Sequence, residues 1–76
     1  MPDRTTLEAE LRDLDERRER IERVLRGALD RQRFAGDPQI VANAQADERN
    51  ALRELDRLMT RSRAVEGQLL QQRGNT

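Results

Sequence analysis

Gly36-Asp37-Pro38 stands between two stretches whose apolar residues recur with helical spacing, close to the midpoint of the chain. Glycine can end a helix in the left-handed conformation, aspartate caps a new one, and proline suits its first position. The three residues together predict a stop and a restart with almost no loop. The alternative, a proline kink in one long helix, keeps the same residues but not the reversal.

On the N-terminal side, Leu7, Leu11, Leu14, Ile21, Leu25 and Ala28 alternate spacings of four and three, with one place skipped at Arg18. That is the heptad pattern of a helix with one apolar stripe. Thr5 and Glu8 have the spacing of a capping box, so helix 1 is predicted over about residues 5–35, the turn at 36–38 and helix 2 over about 38–70. Residues 71–76 are expected to fray. The second stripe is Val41, Ala44, Ala51, Leu55, Leu58, Val65 and Leu69. The predicted fold is all-α: an antiparallel, coiled-coil-like two-helix hairpin forming one domain, and packing into a four-helix bundle with itself or with a partner. Gly27 is read either as a point of close helix approach near Ala44 and Ala46 or as simply tolerated.

Charge selects the antiparallel arrangement independently. Residues 3–16 carry six acids and two arginines, net −4; residues 17–33 carry seven arginines and three acids, net +4. Residues 37–56 carry five acids and two arginines, net −3; residues 57–73 carry four arginines and one acid, net +3. Folding at the turn sets each block beside one of opposite sign. Individual surface pairs contribute only about 0–1 kcal/mol, but they select orientation. Arg18 and Glu48 occupy seam positions and need partners. The expected pairs are Arg18–Asp56 and Glu48–Arg26, with a solvent-directed Arg18 as the alternative.

Composition excludes several functions. Among 76 residues there is no cysteine and no histidine, which removes disulfides and the usual zinc ligands. No nucleophile–base pair or phosphate loop is present, so catalytic, cofactor and metal sites, and a small-molecule substrate, are all read as none. The carboxylates read as a solvated face of Glu–Arg pairs such as Glu8–Arg12. The arginine run from Arg17 to Arg33 is interleaved with Glu19, Glu22 and Asp30, without stacking aromatics, and this disfavours nucleic acid. No apolar run is long enough to span a membrane, and the expected location is cytoplasmic.

The informative surplus is apolar. Val24, Leu29, Leu52, Met59 and Leu70 widen the stripes beyond what a two-helix seam requires. Val24, Leu29, Leu52 and Met59, together with Leu55 and Leu58, are the candidate partner-binding residues. The expected partner is a protein or a second copy of the chain, giving a homodimer. The tip residues Asp37 and Ile40 are the alternative site.

Two families are similar. Thr6-Leu7-Glu8 with Leu11, Ala28-Leu29, Asp37-Pro38-Gln39 and Ala51-Leu52 resemble the small helical-hairpin co-chaperones of type III secretion needle subunits, although the tyrosine that often follows the turn is absent. That resemblance implies pairing with a second chaperone to keep a needle subunit soluble. Asp37-Pro38 with Ala42, and Leu52-Arg53 with Asp56-Arg57, resemble the coiled-coil finger of DksA-type and Gre-type factors. There the second tip acid is replaced by Ile40. That resemblance implies a regulator presenting its tip to RNA polymerase.

Overall fold

The computed structural model describes residues 2–74. Two helices, α1 (Arg4–Phe34) and α2 (Pro38–Gly74), make up the fold, and no strand occurs among the described residues. They pack along their length as an antiparallel hairpin of 59 × 15 × 15 Å.

The caps differ in part from the expectation. Asp3, not Thr5, is the N-cap of α1, and its carboxylate accepts from the Thr6 N–H at 2.8 Å. Aspartate two residues earlier satisfies the free amide and lets Thr5 enter the first turn. Glu8 is engaged by Arg4 at 2.9 Å, so it pairs backward along the helix rather than with Arg12.

At the reversal, Ala35 is extended (φ −78°, ψ 133°) while its N–H donates to the Arg31 carbonyl at 3.0 Å. None of the described glycines has a positive φ. The chain therefore turns through extended backbone, and Gly36 does not use the left-handed conformation. Asp37 caps α2 as expected: its carboxylate accepts from Gln39 N–H at 2.8 Å and its carbonyl from Val41 N–H at 3.1 Å. Helix α2 continues to Gly74. Residues 71–74 are thus helical rather than frayed, and the amide of Gln72 donates to the Pro2 carbonyl at 3.1 Å. The expectation for Asn75 and Thr76 lies outside the described residues.

Each heptad contributes two seam positions, and they are not equivalent. The inner one is Leu7, Leu14, Ile21 and Ala28 on α1, and Ala44, Ala51, Leu58 and Val65 on α2. All of these are buried except Ile21, which is partly so. The outer one is Leu11, Arg18, Leu25 and Gln32 on α1, and Val41, Glu48, Leu55, Ser62 and Leu69 on α2. None of these is buried. In a symmetric coiled coil both positions are sheltered. Here each helix is rolled so that its inner row meets the neighbour and its outer row lies partly open to solvent.

The register also departs from the expected pairs. Glu48 accepts from the Gln32 amide at 2.8 Å, more than a helical turn nearer the tip than Arg26. Arg18 pairs with Asp15 of its own helix at 3.2 Å instead of Asp56. Interlocking of Leu7 and Leu14 with Leu58 and Val65 fixes the register, because aliphatic burial outweighs any exposed ion pair. Gly27 and Gly67 are not points of close approach, since a Cβ at either would meet nothing within 4 Å.

Candidate interaction face

The two long sides of the hairpin have different chemistry. On one, Arg61 donates through Nε and a terminal nitrogen to both oxygens of Glu10, at 2.6 and 2.9 Å. Further toward the tip Arg31 meets Asp47 at 2.9 Å. These bonds join blocks of opposite charge across the seam, as the charge pattern requires. The bidentate bond to Arg61 holds the Glu10 carboxyl below its ordinary pKa and raises that of the guanidinium. The two bonds cross the seam at two levels, and Val24 and Ile40, in the same rows, are about half exposed between and beyond them.

The other side is open. Leu11, Arg18, Met59 and Ser62 line one shallow depression together with Asp15 and Glu66. Glu8, Glu66, Leu69, Leu70 and Arg73 line another nearer the termini. Outer-row residues thus form the floor. The walls are two rows in seven-residue steps: Glu8, Asp15, Glu22 and Leu29 on α1, and Leu52, Met59, Glu66 and Arg73 on α2. Leu29, Leu52 and Met59 are each close to half exposed. For large apolar side chains continuous with a half-open core, that is unpartnered surface.

The residues read from the sequence as one partner-binding set therefore separate into three. Leu29, Leu52, Met59 and the half-buried Leu55 lie on the open side. Val24 lies in the heptad row of Glu10 and Arg31, on the closed side. Leu58 is 6% exposed and belongs to the hairpin core with Leu7, Leu14 and Val65. It is corrected from a contact residue to a structural one. The stripe drawn from the sequence was too wide because helix roll decides which flank faces the neighbour, and spacing alone does not report roll.

Sequence reading also missed an alternation. On both helices the outer row switches between apolar and polar: Leu11, Arg18, Leu25, Gln32, then Val41, Glu48, Leu55, Ser62, Leu69. Arg18 shares a depression with Leu11 and Ser62, and Gln32 bonds Glu48. Leu25 and Leu55 each fall between these polar positions in their own row. Following the outer row in strict steps of seven would have revealed it.

At the tip, Asp37 is occupied in capping α2, and Ile40 is exposed in the same heptad row as Asp47, on the closed side. Phe34, 77% exposed, carries the Arg33 guanidinium 5.9 Å from its ring centroid. In the arginine run, Arg17, Arg18 and Arg31 are ion-paired with Asp13, Asp15 and Asp47. Among the described residues no three potential ligands are grouped to hold a metal ion, and no helix is long and apolar enough to cross a membrane. Comparison with protein-family models, curated proteins and solved structures found no match.

Proposed function

We propose that this hairpin is a non-enzymatic protein-interaction module, an adaptor or co-chaperone of the cytoplasm, that works by covering its open side with other helices. The observation that carries the reading is the unequal seam. Inner residues other than Ile21 are buried, while the outer row is at most partly buried and the flanking Leu29, Leu52 and Met59 are close to half exposed. Further helices laid into the groove complete a four-helix core. The likeness to needle-subunit co-chaperones agrees with this chemistry. Val24 and Leu58 are not part of the docking side.

The test is capture of cross-linked partners on the full chain and on a Leu52→Glu, Met59→Glu variant. Both positions are solvent-facing, so the variant keeps its helical circular dichroism. Loss of bound chains supports the reading; an unchanged set of bound chains sinks it. A second reading, in which the tip acts on a large assembly such as RNA polymerase, draws on the exposure of Phe34 and Ile40 beside Asp37. It requires Asp37→Asn to abolish activity while binding persists.

A further inference from the structure

We infer that the open side is covered by a second copy of this chain, laid antiparallel to the first so that the tip of each lies over the termini of the other. This rests on the interaction reading above and names the occupant.

The argument begins with the charges in the groove. Arg18, whose guanidinium also meets Asp15 of its own helix at 3.2 Å, stands at one polar level and Glu48, bonded to Gln32, at the other. The levels are two heptads apart, about 20 Å along the helices, and the apolar level of Leu25 and Leu55 lies midway. Two face-to-face arrangements have two-fold symmetry. With the tips at the same end, each Arg18 comes level with the other Arg18 and each Glu48 with the other Glu48. With the tips at opposite ends and the axis crossing at Leu25 and Leu55, each Arg18 comes level with Glu48 of the second copy. Leu25 and Leu55 then meet their own counterparts, and Leu11 and Leu69 come level with Val41. The alternation of the outer row thus matches itself in one orientation and repels itself in the other. Charged groups entering a bundle core need such partners and act chiefly to fix register.

Size agrees. The outline of the whole molecule, 59 Å by 15 Å, is on the order of 900 Å², so a standard stable interface of roughly 800 Å² per partner takes nearly the full length of one side. The closed side is bridged at two levels by the Glu10–Arg61 and Arg31–Asp47 bonds, and its exposed Val24 and Ile40 stand singly in rows that are otherwise polar.

Sedimentation equilibrium of the full chain at tens of micromolar is the first measurement, with a dimer expected. Arg18→Glu, which sets two acids level at each site, weakens the dimer by at least about tenfold. The double variant Arg18→Glu, Glu48→Arg restores it. Orientation is read separately. The chain lacks cysteine, so Arg18→Cys and Glu48→Cys variants are mixed and treated with a short bismaleimide. Cross-links between the two variants are expected to dominate; dominant Arg18→Cys self-links would overturn the antiparallel dimer. A monomeric wild-type chain overturns it as well. If that monomer still loses captured partners on Leu52→Glu, Met59→Glu, only the second-copy assignment fails. If it loses none, the interaction reading fails with it.

Discussion

The half of the hairpin near the termini and the half near the tip are held together differently. Toward the termini the inner row is Leu7, Leu14, Leu58 and Val65, with Leu11, Ile21 and Leu69 packed against it. Toward the tip it is Ala28, Ala44 and Ala51. Full burial of a leucine or valine side chain contributes about 1.5–3 kcal/mol; an alanine methyl contributes far less. The tip half has capping at Asp37 and polar bonds across the seam, Gln32–Glu48 and Arg31–Asp47. Capping and polar bonds across the seam occur at both ends, the terminal half having the Asp3 cap and the bidentate Glu10–Arg61 bond; only the terminal half adds the burial of large aliphatic side chains. On the open side the two depressions lie in the terminal half, and Leu29 and Leu52 continue the exposed apolar rows toward the tip.

The comparison can be broken most directly at Leu58. Leu58→Ala is expected to cost about 2–5 kcal/mol, through lost burial and the cavity left behind. In a chain this small that shifts the urea midpoint strongly, measured at fixed protein concentration because association contributes to apparent stability. A loss under about 1 kcal/mol would mean that the terminal half is not the apolar anchor. Next in size is Ala28→Leu. If the alanine layers are closely fitted, the larger side chain costs about 1–3 kcal/mol; a stabilised variant would show instead that the tip half is merely underfilled.

Gly27→Ala and Gly67→Ala sharpen the comparison from outside the seam. An added methyl meets nothing at either site, so each substitution should stabilise by up to about 1 kcal/mol through helix propensity alone. The gain should be similar in the two halves, as thermal melts can show. Unequal gains would reveal a contact at one glycine.

Acid provides the smallest effect, and it acts on the terminal half. Hydrogen bonds from the backbone and then the side chain of Thr6 lower the Asp3 carboxyl, and the Arg61 side chain lowers that of Glu10. Groups lowered on folding lend stability that is complete above the unfolded carboxylate range and disappears as pH falls through their folded values. The wild-type chain should therefore melt slightly higher than Glu10→Gln near neutrality, with the two curves converging at acidic pH. Both groups are solvent-exposed, which keeps the difference small.

Much of the fold was legible because it depends on local signals. Heptad spacing, Asp37 as cap and Pro38 as first residue are properties of neighbouring side chains, and they survive without knowledge of the partner helix. The charge blocks went further and selected the antiparallel orientation, since long-range attraction depends on sums rather than on detailed geometry. The same signals misplaced the first cap by two residues. Asp3 and Thr5 both have the chemistry for it, and only the path of the chain before α1 distinguishes them.

For the candidate face, the sequence supplied the residues and the structure divided them. Leu52, Met59, Leu58 and Val24 are all apolar and all adjoin the stripe, so composition and spacing treat them alike. Which one is core, which one faces the groove and which one lies on the closed side depends on the roll of each helix and on register. Both are set by how Leu7 and Leu14 interlock with Leu58 and Val65. The pairing of Glu48 with Gln32 instead of Arg26 has the same origin. Sequence by itself determined two amphipathic helices, a capped reversal and opposed charge. Only tertiary packing decided which flank stays wet, because shape complementarity between facing side chains is a property of the pair and is written in neither helix alone.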